Sequence, residues 1–181
     1  MKKILLFLVV ALVTMSTTLV GQQMSDPIKN DPNVRIGKLS NGLTYYIRAN
    51  KKPEKRVEFR LAVNAGSMQE NESQLGLAHF CEHMAFNGIE GYPGNTMISE
   101  LQKLGVSFGG GINAYTSFDE TVYEITMPVE DPKNLDFGLN ILKGWANGLI
   151  LDDKEIDKER GIIIEEYRNG LGAQDRMRKK W

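Results

Sequence analysis

The sequence is poor in the residues that would cross-link or polarise it. One cysteine, Cys81, stands among 181 residues, which excludes an intrachain disulfide and leaves stability to burial. Neither sign of charge dominates: 22 Lys and Arg against 23 Asp and Glu give a net charge of -1, so no charge field points to nucleic acid. Internal repeats and low-complexity segments are absent, and a hydrophobic content of 41% suits one globular domain with a core. The longest apolar run, Ile4 to Val13, falls short of the ~20 residues a membrane-spanning helix needs. Histidine is scarce too, and both copies, His79 and His83, sit in one pentapeptide, HFCEH.

The apolar run follows Lys2 and Lys3 and gives way to Thr, Ser and Gly, the layout of a secretory signal peptide. Residues 1–21 are therefore expected to be a signal peptide, cleaved near Gly21 or Gln22. The product would be exported, periplasmic or extracellular, with no stable membrane span after cleavage; an uncleaved anchor is the alternative. No lipidation cysteine follows. Residues 22–33, polar and turn-rich, read as a linker into a domain running from Val34 to the end of the chain.

Asn41-Gly42, between two strand-like runs, predicts a hairpin over residues 34–49 with a two-residue turn. Arg56 to Ala65 alternates as a strand, with Val57, Phe59, Leu61 and Val63 on one face. Apolar residues recur all round the wheel from Ser73 to Phe86, predicting a buried helix that carries HFCEH. A loop, NGIEGYPGN, leads to a short helix from Thr96 to Leu104. The glycine-rich SFGGGINAYT and then TVYEITMP predict two paired strands; no GK[ST] follows the glycines, so a phosphate loop is disfavoured. Asp131-Pro132 opens a helix to about Asn147, and Asp152-Asp153 caps a last one from about Lys154. This order implies an α/β domain with a largely antiparallel sheet. The chain closes on DRMRKKW, still helix-like and without a stop signal, as though cut short.

The chemistry concentrates in HFCEH. Helix positions four apart lie about 40° apart and positions three apart about 60°, so His79, Glu82 and His83 share an arc of about 100°. Two imidazoles one turn apart can bind one Zn²⁺. Glu82 borders such an ion without having to ligate it, and can take a proton from a bound water whose pKa the metal lowers toward ~7. The alternative is a pair of core histidines, but a chance HxxEH is expected on the order of once in a hundred chains of this length or less. Cys81 faces the back of the helix and reads as a small core residue.

A catalytic zinc needs a third protein ligand. In EIDKERGIIIEEYR, Glu159 and Glu166 lie about 20° apart, in the middle of the apolar stripe that includes Ile156, Ile162 and Ile163. Carboxylates aimed into a core need a cation or a metal. Glu166 is the expected third ligand and Glu159 its supporting neighbour; pairing of either with Arg60, Arg160 or Arg168 is the competing expectation.

HxxEH, the inverse of HExxH, followed some eighty residues later by ERGIIIEE, resembles the inverzincin peptidases of the pitrilysin, insulin-degrading-enzyme and mitochondrial-processing-peptidase family (M16). The likeness runs from about Val34 to Arg168, through RIGKLSNGLTYYIRAN, LAVNAGS, GLAHFCEHMAFNG and NAYTSFDETVYEI. It implies the first, metal-bearing domain of a zinc endopeptidase. One Zn²⁺ would be held by His79, His83 and Glu166, with Glu82 activating water and Glu159 in support. It further implies that Asn113, Ala114, Tyr115 and Thr116 form an edge strand to which a peptide or protein substrate adds, Asn113 holding its backbone. Members of this family pair this domain with later homologous ones, so the implied partner is a C-terminal half or a homologous subunit. Two alternatives stand beside catalysis: a non-catalytic zinc- and peptide-binding subunit, and a purely structural zinc site, which four protein ligands would mark.

Overall fold

The structure, a computed structural model, describes residues 29–171; the expected signal peptide and the last ten residues lie outside them. The chain divides between Lys51 and Lys52 into two units.

In the first unit, β1 (Val34–Lys38) and β2 (Thr44–Arg48) pair antiparallel, from Val34 opposite Arg48 to Lys38 opposite Thr44. The turn is longer than the two residues expected. Leu39 N–H donates to the Leu43 carbonyl at 2.8 Å and Gly42 N–H to the Leu39 carbonyl at 2.9 Å, leaving residues 40–42 as the loop. Only Gly42 takes a positive φ, 94°, as in a type I turn closed by a left-handed residue. The Asn41 side chain instead accepts from Leu43 N–H at 3.1 Å, so asparagine contributes a hydrogen bond here and not a left-handed backbone.

In the second unit the elements follow as β3 (Arg56–Val63), α1 (Leu77–Met84), β4 (Gly88–Ile89), β5 (Tyr92–Pro93), α2 (Thr96–Lys103), β6 (Ile112–Thr116), β7 (Thr121–Pro128), α3 (Pro132–Asn147) and α4 (Asp153–Gly170). Strands β3, β7 and β6 form an antiparallel sheet in that order, with β7 central. The alternation of β7 decides its faces: Tyr123, Ile125 and Met127 are buried, and Glu124 and Thr126 between them are not. Phe59 and Ile112 lie opposite Ile125 on the same face, and Met97, Ile98 and Leu101 of α2 with Ile141 and Trp145 of α3 complete the core. Each fully buried Met, Ile or Leu there contributes about 1.5–3 kcal/mol relative to exposure. The other face is polar, with Arg60 reaching Glu124 at 3.1 Å; as an exposed pair it adds little stability.

Four further expectations need correction. The histidine helix starts at Leu77, four residues late, because Ser73 to Gly76 turn and Gly76 takes φ 87°. It is half-buried: Glu82 and Met84 face inward, whereas Leu77 and Cys81 are exposed. Cys81 is therefore not a core residue. NGIEGYPGN holds the small hairpin β4–β5, with Ile89 opposite Tyr92; Ile89 is fully buried and anchors what composition alone reads as loop.

The caps are where the sequence places them. Asp131 accepts from Lys133 N–H at 2.9 Å, and Asp152 from Lys154 N–H at 2.9 Å. The cap of α1 comes from farther away: the Glu70 carboxylate accepts from Gly76 N–H at 2.8 Å and Ala78 N–H at 2.7 Å. Glu70→Ala is expected to destabilise the fold by ~1–2 kcal/mol, read from the midpoint of urea denaturation. An unchanged midpoint would show the cap to be idle.

Candidate metal centre

Helix α1 presents His79, Glu82 and His83, and α4 packs across it with Glu159 and Glu166. Three ligand atoms converge. His79 Nε2 and His83 Nε2 are 3.1 Å apart, and Glu166 Oε2 lies 3.4 Å from the latter and 3.8 Å from the former. Among the described residues, His79, His83 and Glu166 form the group whose ligand atoms are close enough to share an ion.

The donor set fits zinc. A tetrahedral ion with bonds of about 2.0–2.1 Å holds its ligand atoms about 3.3–3.4 Å apart, and the three spacings here bracket that value. The chemistry agrees. His83 Nδ1 lies 2.7 Å from Glu159 Oε1; a carboxylate only accepts, so Nδ1 carries the proton and Nε2 of the neutral ring offers a lone pair. That lone pair faces a carboxylate oxygen and a second imidazole nitrogen, an arrangement that only a cation or a shared proton makes favourable.

The two glutamates of α4 differ in a way the helical wheel does not show. Glu159 is 6% exposed, whereas the Glu166 side chain is 50% exposed. The stripe that suggested a core position for Glu166 is only partly covered: Ile162 is exposed, and Ile156 and Ile163 are half-buried. Glu166 thus lies beside the histidines on an accessible surface and not in the core. The expected competitors are engaged elsewhere: Arg60 with Glu58 and Glu124, Arg160 with Asp157, and Arg168 with Glu165.

Glu82 stands apart from the three-ligand group and is buried, 8% exposed. Its Oε2 accepts from the Thr116 hydroxyl at 2.6 Å, which ties α1 to the end of β6. Thr121, opposite Thr116, donates to the Ala65 carbonyl at 2.9 Å and lies 3.4 Å from the Thr116 oxygen. Tyr123, stacked on Trp145, has its phenol pushed up to about 12 by burial, reinforced by the negative charge of Glu82. A neutral phenol therefore borders the carboxylate at any physiological pH.

The four residues expected to align substrate form most of β6, an edge strand whose outer side, beyond a bridge from Ile112 to Phe108, has no strand partner among the described residues. Ala114 and Thr116 are half-buried toward α1, while Asn113 and Tyr115 project to the polar face. The Tyr115 hydroxyl donates to Glu120 at 2.9 Å. Sequence reasoning missed three contributors: the Thr116 hydroxyl as a donor to Glu82, Glu70 as the helix cap, and Asn87, whose amide donates to Glu159 Oε2 at 2.7 Å. For Asn87 a signal existed, since it follows His83 by four residues, one helical turn.

Residues 45–177 match the family model for Insulinase (Peptidase family M16). The chain is 43% identical over 150 residues to the probable zinc protease PqqL of Haemophilus influenzae, covering 83% of this chain and 16% of that protein. To the probable zinc protease PqqL of Escherichia coli it is 40% identical over 159 residues, covering 87% of this chain and 17% of that one. The crystal structure of the first half of the periplasmic protease PqqL from Escherichia coli superposes with a TM-score of 0.81 at 39% identity, over 85% of this chain and 33% of that one. The chain thus spans about a sixth of the length of these curated relatives.

Proposed function

The chain belongs to the insulinase family of peptidases, family M16, and from that premise we propose that it carries the metal-binding and base-bearing part of a zinc-dependent endopeptidase. One observation supports this above the rest: His79, His83 and Glu166 converge to within 3.1–3.8 Å of one another, with a buried carboxylate, Glu82, on the same helix. His79, His83 and Glu166 would hold one Zn²⁺. When bound, the ion supplies Lewis acidity that acidifies a coordinated water toward pKa ~7 and polarises a carbonyl.

The chain's own residues do the rest. Glu82, held by Thr116, accepts the proton of the attacking water and can return it to the leaving amine. Glu159 keeps the His83 ring turned with Nε2 toward the cluster. The open edge of β6, residues 113–116, takes an extended peptide as an added strand by main-chain hydrogen bonds, with little demand on sequence. Because Thr116 lies at the end of that strand and contacts the base, substrate alignment and the base share one element. Export to the periplasm or extracellular space is part of the same proposal, resting on the signal-peptide pattern and on the periplasmic description of one relative. Among the described residues no helix is long and apolar enough to cross a membrane.

A second reading has its own support in the length comparison. A chain spanning 16–17% of its relatives would bind zinc and peptide but depend on further homologous domains, in the same protein or a partner subunit, for turnover. The purified chain, loaded with zinc and given an unstructured fluorogenic peptide, separates the two. Zinc-dependent turnover rejects the binding-only reading. Stoichiometric zinc with peptide binding and no hydrolysis rejects catalysis by this chain alone. Failure to bind zinc overturns both.

A further inference from the structure

We propose that Asn87 is a positioning residue of the metal centre, acting through Glu159 on His83; the proposal rests on the reading of His79, His83 and Glu166 as a zinc site. Glu159 is buried, and each of its oxygens has one donor. Oε1 accepts from His83 Nδ1–H at 2.7 Å and Oε2 from the Asn87 side-chain amide at 2.7 Å. No lysine or arginine among the described residues lies within ion-pair distance of Glu159; its partners are the His83 ring and the Asn87 amide.

The orientation of both partners follows from the carboxylate. Since it can only accept, Asn87 must turn its NH₂ and not its carbonyl toward Glu159, and His83 must place its proton on Nδ1. The amide makes two weaker approaches, to the His83 carbonyl at 3.5 Å and Met84 Sδ at 4.0 Å. Asn87 follows the end of α1, its backbone N–H donating to the Met84 carbonyl at 3.0 Å, and four residues from His83 it falls on the same side as that ring.

Without the amide donor, Oε2 is a buried acceptor with no partner, and the carboxylate gains by rotating toward water. Its hold on Nδ1 then loosens, and with it the direction of Nε2. Groups that orient a ligating histidine in this manner typically change metal affinity by about 10–100-fold. If Asn87 serves only to terminate the helix, its loss lowers stability and leaves affinity alone.

The test is the zinc dissociation constant of the full chain, by competition with a chromogenic chelator, beside the melting temperature of the metal-free protein. Asn87→Asp keeps the shape but replaces the donor with an acceptor, and Asn87→Ala removes the group. Both are expected to weaken zinc roughly tenfold or more, and Asn87→Ala is expected to add nothing in a Glu159→Ala background. If either folded variant binds zinc as tightly as wild type, or if Asn87→Ala costs as much without Glu159 as with it, the proposal is overturned. His83→Ala separates this from the underlying reading: it should abolish tight binding, and if it does not, the zinc site itself falls and this inference with it.

Discussion

Replacing Glu82 with glutamine is expected to leave zinc content unchanged and to lower kcat for peptide hydrolysis by about 10²–10⁴-fold, the usual contribution of a positioned general base. The substitution is close to isosteric. The amide oxygen can still accept a hydrogen bond from the Thr116 hydroxyl, as Glu82 Oε2 does at 2.6 Å, so α1 and β6 stay tied and the histidines on α1 stay in place. What disappears is the capacity to take a proton. Zinc per chain by elemental analysis, set beside kcat on a fluorogenic peptide, checks both halves of the expectation. Hydrolysis at the wild-type rate with zinc bound would mean that another group is the base.

The second large effect is on the metal. Glu166→Ala should weaken zinc by more than the roughly 10–100-fold that removal of a supporting partner costs, because it deletes one of the three proposed ligand atoms. The metal-free protein should hardly notice: the Glu166 side chain is half exposed, and surface substitutions away from special features stay within about 0.5 kcal/mol. Thermal unfolding with and without zinc reads this directly. A bound ion stabilises by RT ln(1 + [L]/Kd), so the wild-type melting temperature should rise with added zinc and that of Glu166→Ala should rise only at much higher zinc concentration. A rise in the variant equal to that of wild type at the same zinc concentration would place the third ligand elsewhere.

The contrast between Glu166 and Glu159 shows how far a helical wheel reaches. Seven residues apart, they share a face of α4, and the apolar residues around them made both look like core carboxylates. Only one is. Burial depends on what lies opposite, and at Glu159 that is His83 and Asn87 of a neighbouring segment, whereas at Glu166 it is open surface flanked by His79 and the exposed Ile162. The same limit explains Cys81, placed by the wheel on the back of a helix assumed to be surrounded; that side is exposed. It explains the helix start as well, since the donors at Gly76 and Ala78 are satisfied by Glu70, six and eight residues upstream, where no periodicity points.

Sequence alone determined what is local: the antiparallel α/β order, the caps at Asp131 and Asp152, the strand of β7, and a histidine-glutamate-histidine face that needs only the 3.6-residue period of one helix to exist. Tertiary structure decided which distant groups close on that face. Glu166 and Glu159 reach the histidines because α4 packs across α1, Thr116 reaches Glu82 because β6 ends beside the same helix, and Asn87 reaches Glu159 because both stand at that crossing. The physical reason is that a hydrogen bond or a ligand sphere depends on distances of about 3 Å, which chain spacing sets within a helix and which only packing sets between elements seventy residues apart.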